Sequence, residues 1–301
     1  MPELPEVETV VRDLQKRVVG QKIVGFWTDW PKSIKDPVNQ DKFNVSKKAV
    51  EYFKKEIIGK EILCAKRKGK NILLYLSGKH ILLVHQKMTG HLLVGKWQIG
   101  KSGAVGITPK AVVEDTYNHR VHHIFELSGG EQLGLSDTRK FAKILFGPNE
   151  VIENLPEIKN LGPDAIATDL SQKQFSKIIL QKKKAIKTVL MDPYLIAGIG
   201  NIYSDDILWR AFVHPERLAS SLSGEELAKI FKAMKQVLDK AVKLRGTSTS
   251  DFRDTFGLEG GYTEHRLVYQ RKGEPCGRCK EAIKRIVVGG RSAHFCPKCQ
   301  K

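Results

Sequence analysis

Two sets of residues could do chemistry. Near the end of the chain, Cys276 and Cys279 are followed, after sixteen residues, by Cys296 and Cys299. Two Cys-x2-Cys knuckles at that separation are the spacing of a four-thiolate zinc site. Because protein sulfur fills all four positions, the metal has no place for water or substrate, so the spacing predicts one structural Zn2+ per chain. At the other end, Pro2 stands between Met1 and Glu3. Removal of the methionine would leave a secondary amine, and an α-amino group titrates at about 7.7–8.0 against about 10.4 for lysine. Such an amine is substantially neutral at physiological pH and ready to act as a nucleophile. Terminal prolines are usually plain chain ends, however, and Glu3, Glu6 and Glu8 alone read as carboxylates favoured by a helix N-terminus.

The charge balance narrows the partner. The 301 residues include 51 Lys plus Arg against 33 Asp plus Glu, a formal net charge of +18, and the pI is near 9.6. Clustered basic residues gain by releasing counterions from phosphates, so nucleic acid is the default partner. From Arg266 to Lys301 there are ten basic and two acidic residues, and from Lys54 to Lys70 seven against two. Lys182, Lys183, Lys184 and Lys187 form a third cluster. These runs lack the amphipathic, anchor-bearing pattern of a membrane-surface helix, which leaves acidic phospholipid a minor alternative. The N-terminus is acidic where a signal peptide would be basic, and no apolar run reaches the roughly 18 residues of a membrane span. A soluble, unexported protein without membrane contact is expected. Cys64, in a strand-like run, reads as a buried apolar residue rather than a nucleophile.

The elements that must position these residues follow from periodicity. Val7, Val10, Val11, Leu14 and Val18 give one apolar helix face between Pro5 and Gly20. Short β-like runs then start at Lys22, Glu61, Asn71, His80, His91, Val121 and Lys143, separated by turn residues such as Ser77-Gly78. Their spacing predicts a β-sandwich rather than an alternating α/β sheet. The segment 151–167, with Pro156, Gly162 and Pro163, reads as a linker. Helices are expected around Leu170–Leu180 and Asp205–Phe212, and Ser223 with Glu226 forms a capping box ahead of a long apolar-periodic helix. A glycine-rich loop from Gly246 to about Tyr262 precedes the cysteine module. The fold class is therefore α+β: residues 1–150 as an N-terminal β-sandwich with flanking helices, 168–265 as a helical domain carrying the loop, and 266–301 as a zinc ribbon.

Five stretches carry a resemblance: MPELPEVETV, RKGKNILLYL ahead of HQKMTG, SDTRKF, LMDPYLIAGIGNIYSDDILWRAFVHPER, and VYQRKGEPCGRCK with GGRSAHFCPKCQK. In this order, end to end, they resemble bacterial formamidopyrimidine-DNA glycosylase. Only the segment from about Gly95 to Asn118 looks longer than that family's usual connection, and the sequence assigns it no role.

The resemblance implies a bifunctional glycosylase and abasic-site lyase acting on double-stranded DNA with oxidised bases, excising 8-oxoguanine and formamidopyrimidines. It implies that Pro2 attacks C1′ of the damaged nucleotide, Glu3 assists ring opening by proton transfer, and β,δ-elimination from the iminium cuts the strand. Lys70, Asn201 and Arg291 match phosphate-holding positions, with Asn201 at the turn of a helix-two-turns-helix element. His85 is a further phosphate candidate. Met88, Arg139 and Phe141 match residues that fill the gap left by the flipped nucleotide; unaided by the family, Met88 and Phe141 would read as core. Lys140 replaces a frequent second arginine and keeps a phosphate contact without its bidentate geometry. Glu6 and the loop would face the base. His119, His122 and His123 read as structural or surface residues. A monomer, cytoplasmic and nucleoid-associated, is expected. The rivals are the related endonuclease VIII class, which acts on oxidised pyrimidines, and a non-catalytic zinc-ribbon binder, which leaves Pro2 and Glu3 unexplained.

Overall fold

A computed structural model describes residues 1–35, 37, 47–101 and 103–301. The chain divides into two compact units, one formed by Met1–Lys159 with Arg245–Gly261, the other by Asn160–Leu244 with Tyr262–Lys301. Two boundaries differ from those drawn on composition. The loop beginning at Gly246 packs with the first unit rather than with the helices that precede it, and the cysteine segment is continuous with the helical unit. So short a ribbon cannot build a core of its own. It shares one instead, with Cys276, Ile283 and Cys296 packed on Trp209.

The first unit opens with α1 (Leu4–Arg17), capped by Glu3, with Pro5 in the first turn where its missing N–H costs nothing. Next come β1 (Ile23–Thr28), β2 (Ile34–Lys35), α2 (Lys47–Ile57), β3 (Ile62–Lys68), β4 (Asn71–Leu76), β5 (His80–His85), β6 (Gly90–Gly100) and β7 (Gly103–Thr108). They are followed by α3 (Lys110–Glu114), β8 (Val121–Leu127), β9 (Gln132–Asp137), β10 (Lys143–Pro148), α4 (Asn149–Glu153) and α5 (Pro156–Lys159). The strands form two five-stranded sheets, ordered β1-β8-β9-β6-β7 and β2-β10-β5-β4-β3. Val7, Val10 and Leu14 of α1 join Phe26 and Phe125 of one sheet and Ile72, Leu74, Leu82 and Val84 of the other in a single core. The sandwich expectation holds. Alternate residues of the second sheet, Leu73, Ile81 and Leu83, face outward onto Ile152 and Ile158 of α4 and α5, so the supposed linker begins as two helical turns that cover a sheet. The long connection after Gly95 becomes the β6–β7 hairpin and α3, whose Val112 covers Leu93 and Trp97 on the outer face of the first sheet; Ser102 within it lies outside the described residues.

The second unit consists of α6 (Gln172–Leu180), α7 (Ile186–Leu190), α8 (Asn201–Ala211), α9 (Gly224–Lys243) and the hairpin β11 (Lys284–Val288) and β12 (Arg291–Phe295). The Ser223–Glu226 capping box forms at α9 as its sequence requires. No helix among the described residues is long and apolar enough to cross a membrane.

The three-histidine segment is structural. His122 bonds Asp29 at 2.8 Å, and His123, fully buried, meets Ser33 Oγ at 2.7 Å. Burial first, then the charges of His122 and Lys140, push His123 down to about 3, while burial also lowers His91. An unfolded histidine titrates near about 6.5, so between that pH and the folded value the unfolded chain takes up protons that the folded chain refuses. Stability is thus complete above pH 6.5 and lost as the pH falls toward 3. Urea midpoints should drop from pH 6.5 to pH 4, and His123→Asn should flatten the dependence by up to about 1.4 kcal/mol per pH unit; an unaltered slope would mean that His123 is not held neutral.

Candidate active site and nucleic-acid interface

Pro2 is buried, and while Met1 is attached its nitrogen is an amide. Glu3, 2% exposed, is the N-cap of α1. The carboxylate of Glu6 holds this terminus: Oε2 accepts from the Glu3 N–H at 2.7 Å, and Oε1 accepts from the N–H of Thr247 at 2.7 Å. Two turns along the helix, Asp13 repeats the connection. It accepts from Thr255 Oγ1 at 2.8 Å and pairs with Arg245, which also pairs with Asp254. Glu6 therefore lies beside Pro2 and Glu3 as the residue that fastens the 245–261 segment to them.

A second arrangement assembles Met88, Arg139, Lys140 and Phe141. Asp137, fully buried at the end of β9, accepts from the N–H of Phe141 and of Ala142 at 2.7 Å each through Oδ2. Its Oδ1 accepts from the Arg139 N–H at 3.2 Å and from the hydroxyl of Thr89, next to Met88. One carboxylate thus shapes the turn and joins it to the Met88 turn. Lys140 adopts φ +56° there. Met88 is 39% and Phe141 50% exposed, and the Arg139 guanidinium lies 4.6 Å from the Phe141 ring centroid. Two apolar side chains and an arginine presented together to solvent can enter a duplex; they are not core.

Lys70 occupies the two-residue turn between β3 and β4, where Lys68 pairs with Asn71 and Gly69 takes φ +57°. The turn is anchored by Arg67, which donates to Gly69 O at 3.0 Å and to Glu8 Oε2 at 2.7 Å. Burial alone would raise the Glu8 carboxyl, but Arg67 and Arg12 bring it below the usual carboxylate range. His85 is pushed down to about 3 by burial and by the charges of Lys87, Lys70 and Lys143. Its Nδ1 accepts from the Lys87 N–H at 3.0 Å, which leaves the proton on Nε2. A neutral imidazole donor set among lysines suits a phosphate oxygen.

In the second unit, α7 and α8 are joined by two turns, with Gly198 at φ +107°, and Asn201 starts α8. Asn201 Nδ2 lies 3.2 Å from Ser292 Oγ, the neighbour of Arg291. Its Oδ1 is buried and has no partner among the described residues. A hydroxyl can face either end of an amide, so the reversed amide keeps the serine bond and turns its N–H groups toward a phosphate. Arg291 is exposed after a Gly289-Gly290 turn, where Gly289 has φ +56° and an added Cβ would lie 2.6 Å from Thr188 Oγ1.

Lys187 departs from the charge reading: it is fully buried and paired with Asp205, while donating to Ser204 Oγ at 3.2 Å. Asp205 also accepts from the His294 N–H at 2.8 Å, tying α7 and α8 to β12. The residues that sequence reasoning missed are Asp137, Thr89, Lys187 and Asp205. Asp137 lay within the SDTRKF stretch, but nothing in its spacing marked it as the organiser. Cys64 is half-buried rather than buried.

The four cysteine sulfurs lie within 4.8 Å of one another, with Cys276–Cys299 at 3.9 Å and Cys279–Cys296 at 3.4 Å. Zn–S bonds of about 2.3 Å in a tetrahedron put sulfurs about 3.8 Å apart, so the cluster fits zinc. Trp209 Nε1 donates to Cys276 Sγ at 3.4 Å, an outer contact that orients the ligand. The four thiolates would hold the metal as a structural tie and leave it no reaction to perform.

Two substitutions test these arrangements. Cys296→Ser should release one equivalent of zinc and weaken DNA binding, structural zinc being worth roughly 10–16 kcal/mol to such modules; a metal-free variant with full DNA affinity would show that the ribbon folds without it. Asp137→Ala strands several buried donors and should cost at least about 2 kcal/mol in urea unfolding, whereas a loss under about 0.5 kcal/mol would mean that the turn holds itself.

Known proteins resemble this chain from end to end. Residues 1–144 match the formamidopyrimidine-DNA glycosylase N-terminal domain, 161–253 its H2TH domain, and 273–301 the zinc finger found in FPG and IleRS. The chain is 40% identical to the formamidopyrimidine-DNA glycosylase of Pelotomaculum thermopropionicum, over 100% of this chain and 99% of that protein. It is 38% identical to that of Carboxydothermus hydrogenoformans over the whole of both. Lactococcus lactis Fpg in complex with an abasic site containing DNA superposes with a TM-score of 0.82 at 31% identity, covering 99% of each chain. The same protein with N7-benzyl-Fapy-dG containing DNA gives 0.82 at 32%, covering all of each. Full-length identity, three matched domains in order and the four-cysteine site establish that the chain belongs to the formamidopyrimidine-DNA glycosylase family of DNA repair enzymes.

Proposed function

We propose that this enzyme excises 8-oxoguanine and formamidopyrimidines from duplex DNA and then cuts the strand by successive β and δ eliminations. The observation that carries the reading is the buried Pro2–Glu3 pair at the head of α1, fastened through Glu6 to the 245–261 loop. Once Met1 is removed, the Pro2 amine attacks C1′ of the damaged nucleotide, the bond to the base breaks, and the base leaves. Glu3 delivers a proton to the ring oxygen as the sugar opens, which leaves an iminium between the proline nitrogen and C1′. That cation accepts the electron pair released when C2′ loses its proton, so the 3′ phosphate departs; a second elimination expels the 5′ phosphate. Lys70, His85, Asn201 and Arg291 hold backbone phosphates, and Lys140 adds another contact. Met88 and Phe141 fill the space vacated by the flipped nucleotide, and Arg139 offers donors to the O2 and N3 acceptors of the estranged cytosine. The loop's backbone faces the base, and Glu6 acts there through the loop. The protein works as a monomer in the bacterial cytoplasm, at the nucleoid.

Borohydride should trap a covalent adduct between Met1-free protein and lesion-bearing or abasic duplex, mapped to Pro2 by mass spectrometry. Retention of Met1 or Pro2→Gly should abolish base excision. Mapping to Lys70 would reassign the nucleophile, and faster release of thymine glycol than of 8-oxoguanine opposite cytosine would move the chain to the pyrimidine class.

A further inference from the structure

The long connection between β6 and β8 has no part in the chemistry above, yet its inner residues meet the 245–261 loop at several points. Asn118 is fully buried. Its Nδ2 donates to Gly257 O at 3.1 Å in the loop and to Ala111 O at 3.0 Å in the insertion, and its Oδ1 lies 3.1 Å from His91 Nε2 on β6. Approach at Gly257 is close: a Cβ there would lie 2.7 Å from Asn118 Nδ2 and 3.2 Å from Val112 Cγ2. Arg253, only 2% exposed, pairs through Nε with Asp115 of the insertion at 2.5 Å and through Nη2 with Glu259 at 2.9 Å. Its Nη1 also donates to the carbonyls of Ser250 and Phe252, at 2.9 and 2.8 Å, and its guanidinium stands 4.6 Å from the Tyr117 ring centroid. The Val94 N–H of β6 donates to Thr255 O at 2.9 Å.

Apart from the Val94–Thr255 bond, these contacts fall on residues other than those held by Glu6 and Asp13. The α1 carboxylates hold Thr247 and Thr255, whereas the insertion holds the loop at Arg253 and Gly257. A buried guanidinium that bonds two carbonyls of its own loop and a carboxylate outside it sets the loop's shape and its seat together.

We propose that residues 103–119 of the connection between β6 and β8 are a brace for the base-facing loop, with Asp115, Asn118 and Arg253 as positioning residues that set recognition of the damaged base without touching the sugar. The inference rests on the reading that this loop faces the base. It separates two activities of one enzyme: release of a base needs the loop in place, while strand cleavage at a site that has already lost its base does not.

The decisive variant is Asp115→Asn, which removes the charge from a partly exposed position at unchanged size. Its single-turnover excision of 8-oxoguanine opposite cytosine should fall at least about tenfold, as expected for loss of a charge-assisted bond, and cleavage of a preformed abasic site should stay within about twofold of wild type. Asp115→Glu should recover most of the loss. Hydrogen exchange of the 247–260 amides should quicken in Asp115→Asn, which tests the brace apart from any activity. An equal fall in both activities would make the contact a general structural one, and unchanged excision with unchanged exchange would overturn the brace. If wild-type protein cleaves abasic DNA but releases neither 8-oxoguanine nor formamidopyrimidines, the substrate reading fails, while the exchange result still decides whether the insertion holds the loop.

Discussion

The constraint on which the head of α1 depends is the desolvated carboxylate of Glu6. A carboxylate 1% exposed to solvent is costly unless its oxygens are satisfied, and here one satisfies the first turn of α1 while the other captures a backbone N–H from a loop 241 residues away. The position within the first helical turn adds the favourable end of the helix dipole. No side chain fits beside it at Gly246, where a Cβ would fall 2.7 Å from Glu6 Oε1. A single acid therefore fixes Glu3, the residue after Pro2, together with the 245–261 segment.

The same device recurs at other turns. Asp137 collects the amides of the Arg139–Phe141 turn, and Asp205 joins Lys187 to β12. Asp206 takes the N–H groups of Leu267 and Val268 with the hydroxyl of Tyr262. In a chain with a formal charge of +18, such acids are buried as internal fasteners, while cations such as Arg291 remain exposed. Internal negative charge supplies geometry; external positive charge supplies affinity.

What could be read in advance follows from the range of the interactions. Helix α1, helix α9 and the cysteine knuckles are local patterns, a 3.6-residue period, a capping box and a fixed spacing, and each stands where its pattern places it. Strand β9 escaped notice because QLGLSD is short and broken by glycine, and α7 because five residues hold too few periods. Lys187 read as one more solvated charge because its partner, Asp205, lies eighteen residues on, across two turns. The seat of the 245–261 segment was invisible for the same reason: its partners Glu6, Asp13, Asp115 and Asn118 are distant in the chain, and its own composition reads only as a loop.

The discontinuity of the first unit has a consequence in time. Its last part, Arg245–Gly261, is made after the whole of Asn160–Leu244, and ribosomes add about 5–20 residues per second. For roughly 10–50 s, α1 is therefore present in the nascent chain without the Thr247 amide that Glu6 later binds. The order of the chain therefore leaves Glu6 with its Glu3 bond but without its Thr247 bond until the segment that supplies this second donor has been synthesised.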